Sequence, residues 1–280
     1  DPAGFGNPRG LFVYATITRV NPKPSPLLNP RRAIVVGAST GIGAALARKL
    51  AAEGWRVAAL ARRADLLNAL CAEINAAAGE PVLNRHRALP FVHDVTDFAA
   101  VPGLFQEITR ALGGLDLLVF NSGVLLRSAP DEYDFEKDRQ MLAVNTLGAI
   151  AWLNEAAARF QRAGSGQIVG ISSVGGDRGR VGAPAYNASK AALTSYLEAL
   201  RNRLTRRGVN VITIKPGYVA TEQLKGARLF FPAITPERAA DEIYRAIRAR
   251  KQSAYVPAYW GLIMLIVRNV PSIIFRRLNF

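Results

Sequence analysis

The sequence contains few of the residues that form disulfides and metal centres. It has one cysteine, Cys71, and two histidines, His86 and His93, in 280 residues. One cysteine excludes an intramolecular disulfide, and the shortage of sulfur and imidazole ligands predicts that there is no metal site. The expected location is a reducing compartment, the cytoplasm.

The sequence also lacks an apolar run long enough to cross a bilayer. The most apolar part of the C-terminal segment 257–280 is Trp260–Val267, which ends at Arg268, well short of the ~20 residues that a span needs. Two interpretations of 257–280 stay open. It is either an interfacial segment at the cytoplasmic face of an anionic membrane, or a tail that packs on a partner subunit or covers the substrate lid.

Acidic residues are scarce relative to basic ones. There are 36 Lys and Arg against 21 Asp and Glu, a formal net charge of +15. This charge favours an anionic partner such as nucleic acid, anionic lipid or a phosphorylated cofactor. Because the basic residues are scattered along the chain, we predict that the protein does not bind nucleic acid.

Half of the residues are hydrophobic and 20% are charged, which excludes a disordered, collagen-like or coiled-coil chain. Residues 1–30 are rich in proline and predict an extended arm. From Arg32 onward, short runs of Val, Ile and Leu alternate with Ala-rich stretches of helical period. This alternation predicts one α/β domain over 31–256, a doubly wound parallel sheet of about seven strands with helices on both faces.

The predicted strands are 33–37, 56–61, 88–92, 115–120, 166–171, 209–215 and 254–256. The predicted helices are 42–53, 64–78, 101–112, 135–162, 185–207 and 236–250.

The first strand runs into the glycine-rich turn Gly37-Ala-Ser-Thr-Gly41-Ile-Gly43, followed by an Ala-rich helix. Glycines there let the backbone approach a pyrophosphate, whose charge is stabilised by the amides at the helix N-terminus. A tight turn alone also requires glycine, but its place between the first strand and the first helix favours a nucleotide site.

Two arginines, Arg62 and Arg63, follow the second strand. A dinucleotide fold selective for NAD usually has an acidic residue at this place, where it binds the adenosine ribose. A guanidinium instead pairs with a 2′-phosphate, so the sequence favours NADP(H). The alternative is that the two arginines only begin an exposed helix.

Tyr186 and Lys190 lie four residues apart at the start of a predicted helix, and so on one helix face. A nearby ammonium and a helix N-terminus both favour a phenolate, so we expect the pKa of Tyr186 to be lowered for acid–base catalysis. Most such pairs are only a packed ring and a solvated amine.

The chain resembles the short-chain dehydrogenases/reductases over 32–256. The glycine turn and the Tyr186/Lys190 pair occur in the order seen in that family, together with Asn121-Ser-Gly123, Asn145, Ser173 and Pro216-Gly217. The resemblance implies a Rossmann-like fold and a nicotinamide cofactor. It also implies a homodimer or homotetramer built by the helices near 135–162 and 185–207.

The resemblance implies a role for each member of the catalytic set. Tyr186 would be the proton donor to a ketone oxygen, and Ser173 would hold the same oxygen. Lys190 would lower the pKa of Tyr186 and bind the nicotinamide ribose. Asn145 would distort its helix and hold a water that resupplies protons. Its neighbours Val144 and Leu147 indicate partial burial, which requires a hydrogen-bonding partner.

The predicted cofactor contacts combine this resemblance with the glycine turn and the arginines. They are Gly37, Ser39, Thr40, Gly41, Ile42, Gly43, Arg62, Arg63, Asp94, Val95, Asn121, Gly123, Tyr186, Lys190, Pro216, Gly217, Val219 and Thr221.

The substrate pocket is expected beyond the carboxyl ends of strands four to six. There 222–235 predicts an apolar lid of Leu224, Leu229, Phe230, Phe231 and Ile234. Arg178 and Arg180 would either meet an anionic substrate group or lie in a solvated loop. The sequence thus predicts an NADPH-dependent reductase of a hydrophobic or lipid-linked ketone. The alternative is a regulator or scaffold that binds NADP(H) without turnover.

Overall fold

The computed structural model describes residues 30–79, 86–129, 131–224 and 230–278. Apart from Pro30, the predicted arm over 1–30 lies outside these residues, as does Leu229 of the predicted lid.

The described chain forms one parallel sheet of seven strands in the order β3-β2-β1-β4-β5-β6-β7. The order reverses between β1 and β4, so the connections that follow these two strands leave on opposite faces. The predicted doubly wound α/β fold is confirmed. The strands are β1 Arg32–Val36, β2 Arg56–Ala61, β3 Ala88–Val92, β4 Leu117–Phe120, β5 Gly166–Ile171, β6 Val209–Pro216 and β7 Ser253–Val256.

Helices cover both faces of the sheet. The helices of the described residues are α1 Gly41–Ala52, α2 Ala64–Ala78, α3 Val101–Leu112, α4 Phe135–Leu142, α5 Gly148–Ala163, α6 Pro184–Leu204, α7 Pro236–Arg248, α8 Trp260–Asn269 and α9 Ser272–Phe275. One buried apolar cluster joins α1, α2 and α7 to one face and includes Trp55 and Tyr244. The other joins α3, α5 and α6 to the opposite face and includes Trp152 and Phe160.

The helix predicted over 135–162 is not continuous. Between α4 and α5, residues Ala143–Leu147 form a π-helical segment. Such a segment accommodates an additional residue within a helix and shifts the backbone hydrogen bonds of that turn. Asn145 lies at its centre and is fully buried, so the expected local distortion and burial are both found.

The C-terminal helix α8 packs on the carboxyl end of the sheet. Trp260 and Met264 are buried with Val174, which follows β5. No helix in the described ranges combines the length and the apolar character required to cross a bilayer.

Candidate active site

A cleft of about 470 Å³ lies at the carboxyl end of the sheet, where the strand order reverses. Segments that follow β1 to β6 line it, and it brings together all the predicted catalytic and cofactor-binding residues except Gly43 and Asn145. These two lie behind the cleft wall. Gly43 packs on Gly37, and Asn145 bonds to the backbone of Val124.

The glycine turn closes on itself too tightly for larger residues. Gly37 has a φ of +87°, which favours glycine, and its carbonyl oxygen accepts a hydrogen bond from Asn121 Nδ2 at 2.8 Å. A Cβ on Gly43 would lie 2.0 Å from that same carbonyl oxygen. The turn therefore fits a close approach of a pyrophosphate to the start of α1.

The arginines after β2 face the glycine turn. Arg63 Nη2 donates to Ser39 Oγ at 3.1 Å and to Thr40 Oγ1 at 2.9 Å. Arg62 Nη1 lies 3.5 Å from Asp94 Oδ2. Burial raises the pKa of Asp94, but hydrogen bonds from Thr96 and the charge of Arg62 together hold that pKa below its usual value. The exposed guanidinium of Arg63 thus lies beside the hydroxyls of the turn, and that of Arg62 lies beside Asp94.

A second carboxylate lies beside these arginines. Glu222 Oε2 is 3.7 Å from Arg63 Nη1. It belongs to the segment after β6, so the arginines join the cofactor side of the cleft to the start of the predicted lid.

The Tyr186 phenol lies in the first turn of α6, facing Ser173 at the end of β5. Burial raises the pKa of Tyr186, and the hydrogen bond with Ser173 and the charge of Arg180 lower it only in part. The expected lowering of the Tyr186 pKa is therefore wrong, because desolvation outweighs the polar contacts. Ser172 is turned away, since its hydroxyl bonds to the Lys190 carbonyl oxygen at 2.9 Å.

Lys190 is buried beneath the phenol. Its Nζ donates to the carbonyl oxygen of Ile171 at 3.0 Å and lies 5.9 Å from the centre of the Tyr186 ring. Burial lowers the pKa of Lys190 to about 8. A Cβ on Gly123 would lie 3.1 Å from this ammonium, so the glycine leaves open the space in front of it.

The Asn145 amide braces the loop that follows β4. Its Oδ1 accepts from Val124 N at 2.7 Å, and its Nδ2 donates to Val124 O at 2.9 Å and to Ser189 Oγ at 3.0 Å. Ser189 Oγ donates in turn to the carbonyl oxygen of Tyr186. The side chain thus joins the π-helical segment to the helix that carries Tyr186 and Lys190.

The two loop arginines separate in the structure. Arg178 does not line the cleft, and it does not lie in a solvated loop, so both predictions for this residue are wrong. Its Nη1 donates to the carbonyl oxygens of Val267 at 2.7 Å and Val270 at 2.6 Å, at the end of α8. Arg180 lines the cleft, and its charge acts on the Tyr186 phenol.

Sequence reasoning missed how the predicted lid is anchored. Gln223 Nε2 donates to the carbonyl oxygen of Gly123 at 2.5 Å, which ties the start of the lid to the loop after β4. Ile234 is not part of the lid but of the core, since it is 6% exposed and bridges to Val219. Phe231 packs edge-on against Trp260 of α8, with ring centres 5.3 Å apart.

Comparison with known proteins shows the same architecture. A family profile described as short chain dehydrogenase matches residues 31–229. A crystal structure of a short-chain type dehydrogenase/reductase from Mycobacterium marinum is 27% identical, with a TM-score of 0.72, over 81% of this chain and 93% of that one.

Two curated relatives are also similar to the chain. An uncharacterized oxidoreductase of Myxococcus xanthus is 39% identical over 69% of this chain and 73% of the relative. The ketoacyl reductase HetN of Nostoc sp. is 29% identical over 82% of this chain and 79% of that protein. The range of the family profile contains every residue that lines the cleft.

Proposed function

Because the chain belongs to the short-chain dehydrogenase/reductase family, we propose that it is an NADPH-dependent oxidoreductase that interconverts a ketone and an alcohol. Members of this family bind a nicotinamide cofactor, and the glycine turn fits the pyrophosphate of either dinucleotide. The proposed substrate is hydrophobic or linked to a lipid.

The observation that carries the NADPH preference is the pair of exposed arginines after β2. No carboxylate follows this strand directly, and Arg63 donates to two hydroxyls of the glycine turn. A 2′-phosphate placed there would meet two guanidinium groups, each able to form paired hydrogen bonds with it. Asp94 and Glu222 hold these groups at the cleft through ion pairs at 3.5 and 3.7 Å.

The catalytic groups act on a carbonyl oxygen. The Tyr186 hydroxyl donates a proton to that oxygen during reduction, and Ser173 Oγ donates a hydrogen bond to it as negative charge develops. The raised pKa of Tyr186 keeps the phenol protonated at neutral pH, as a proton donor requires. A bound nicotinamide cofactor supplies the hydride.

Lys190 and Asn145 act from behind the phenol. With a pKa of about 8, the Lys190 ammonium is charged at neutral pH and stabilises the phenolate left after proton transfer. Asn145 fixes the loop after β4 through both backbone polar groups of Val124. It thereby maintains the space around Lys190 through which the proton is replaced.

Two observations support a hydrophobic substrate. Leu224 lines the cleft, and Phe230 and Phe231 of the predicted lid have 54% and 40% of their surface exposed. Apolar side chains at the lid favour an apolar substrate group on that side of the cleft. The similarity to a ketoacyl reductase agrees with a keto group on an acyl chain.

The first experiment measures the dissociation constants of NADPH and NADH with the purified protein. We expect at least about tenfold tighter binding of NADPH. The double variant Arg62→Ala/Arg63→Ala should lose that preference while NADH binding is retained. Arg162→Ala, an exposed arginine at the far end of α5, is the matched control. Tighter binding of NADH by the wild type would refute the proposed cofactor preference.

A second experiment separates an enzyme from a scaffold. Tyr186→Phe removes the acidic hydroxyl but keeps the ring, so NADPH should bind as before while turnover of 3-keto acyl substrates falls by at least about a thousandfold. Unchanged turnover would remove Tyr186 from the mechanism. Wild-type protein that binds NADPH but reduces no ketone in a panel of soluble and lipid-linked compounds would favour the scaffold.

A further inference from the structure

The outer face of α8 exposes large aliphatic side chains. Leu262, Leu265 and Ile266 are 67%, 58% and 63% exposed, whereas Trp260 and Met264 on the inner face are 4% and 5% exposed. Spacings of three and four residues place the three exposed side chains on one stripe of the helix. The helix is therefore apolar on both faces, and the fold buries only one of them.

The exposed stripe continues into α9 and the residues after it. Ile273, Ile274 and Leu278 are also exposed, and with the three α8 residues they are called here the outer patch. Arg178 joins the two helices to the protein, because it binds carbonyl oxygens at the end of α8 and lies 3.8 Å from the centre of the Phe275 ring. The patch thus belongs to the folded body of the protein.

Basic residues surround this apolar surface. Arg268, Arg276 and Arg277 are exposed at its border, and segment 257–280 contains no acidic residue. Exposed apolar side chains with three neighbouring arginines, on a protein of formal charge +15, match a bilayer that carries anionic headgroups.

We propose that the outer patch docks on the surface of an anionic lipid bilayer. A second copy of the chain is the less favourable occupant, because a two-fold contact through this patch would bring two sets of arginines together. Phosphate headgroups instead accept hydrogen bonds from those arginines while the aliphatic side chains enter the boundary of the acyl region.

The position of α8 connects this docking surface to the cleft. Its inner face carries Trp260, whose ring centre lies 5.1 Å from that of Tyr218 and 5.3 Å from that of Phe231 at the lid. A bilayer bound to the outer face would therefore lie one helix thickness from the lid. Docking itself does not depend on the proposed activity, so the two are tested separately.

The test is flotation of the full chain with two kinds of vesicle, one of phosphatidylcholine and one of phosphatidylcholine mixed with phosphatidylglycerol. We expect binding to the mixed vesicles only, weakened as salt is added. Leu262→Gln/Ile266→Gln should lower the partition coefficient at least about tenfold. Val92→Gln, an exposed aliphatic at the opposite edge of the sheet, should not change it. Melting curves of each variant show that it is folded.

A second pair of variants tests the charge. Arg276→Gln/Arg277→Gln should weaken vesicle binding about thirtyfold, since each arginine near an anionic surface contributes about 1 kcal/mol. The matched pair Arg206→Gln/Arg207→Gln, in the exposed turn after α6, should have little effect. No binding to mixed vesicles, or equal binding to both kinds, overturns the proposal. An oligomer seen by light scattering that Leu262→Gln/Ile266→Gln dissociates, without vesicle binding by the wild type, assigns the patch to a second copy.

Discussion

Lys190 Nζ donates its hydrogen bond to the carbonyl oxygen of Ile171, at 3.0 Å, and not to the Tyr186 phenol. The ammonium is thus tied to the end of β5, and burial lowers its pKa to about 8. The ammonium lies 5.9 Å from the centre of the Tyr186 ring and acts on the phenol through its charge alone.

This burial makes stability depend on pH. The unfolded state binds a proton on Lys190 up to about pH 10.4, while the folded state releases it near pH 8. The folded state is therefore penalised below pH 8, and the free energy of unfolding rises between pH 8 and about 10.4. Relative to Lys190→Met, the wild type should gain up to about 3 kcal/mol across this window.

Urea unfolding of both proteins at several pH values measures that difference, because all other titrating groups are common to the two. If the difference in unfolding free energy between the wild type and Lys190→Met does not change with pH, Lys190 has the same pKa in the folded and unfolded states.

Removing the amide of Asn145 should destabilise the protein. Asn145→Ala leaves the half-buried N–H and C=O of Val124 without their present partner, at a cost of about 2 kcal/mol. Chemical denaturation measures the loss. Asn202→Ala, on the exposed side of α6, should change stability by less than about 0.5 kcal/mol. Equal effects of the two substitutions would contradict a bracing role for Asn145.

Gly217 is required by the ring of Trp260. A Cβ at this position would lie 1.9 Å from Trp260 Nε1, so Gly217→Ala must displace α8 or the segment after β6. We expect a loss of about 1–3 kcal/mol in stability. Adding Trp260→Leu should recover part of it, giving a non-additive double-mutant cycle. Strict additivity would show that the two residues do not clash.

The buried ion pair of Asp177 and Lys215 should be sensitive to loss of one charge. The two side chains are 3% and 10% exposed, their charged atoms lie 2.5 Å apart, and the carboxylate also accepts from Tyr255 OH at 2.6 Å. Asp177→Asn leaves a buried ammonium without its counter-charge and should cost about 3–5 kcal/mol.

Asp241→Asn, in an exposed pair with Lys49, provides the comparison for thermal unfolding and should cost less than about 1 kcal/mol. Similar shifts in melting temperature for the two aspartate variants would mean that burial of the Asp177 pair has no energetic effect.

Local pattern was sufficient for most of the fold. The helices over 64–78 and 101–112 and the strands over 56–61 and 88–92 have the predicted bounds, because apolar periodicity reports directly on burial. The π-helical segment was not predicted as such. It positions Asn145 against Val124, and no local propensity encodes a contact between residues so distant in the chain.

In the candidate site too, local sequence predicts some features, while others depend on contacts between residues far apart in the chain. The glycine turn, Arg62 and Arg63 come together because strand ends in a parallel sheet meet at one edge, which the strand pattern already predicts. The hydrogen-bond partners of Arg178 lie at the end of α8, about ninety residues later in the chain, and so could not be predicted from the local sequence. The pKa of Tyr186 is raised because the surrounding cleft buries the phenol. The four-residue spacing of Tyr186 and Lys190 carries no information about that burial.

The π-helical segment also limits how the chain can vary in length. Deleting one residue between 143 and 147 would let α4 and α5 join as a regular helix, and each residue of such a helix advances the chain by ~100°. All of α4 would then turn by that angle relative to α5, and Asn145 would no longer face Val124. We therefore expect single deletions here to be far more damaging than point substitutions at the exposed positions of the same helices, although both leave the apolar composition almost unchanged.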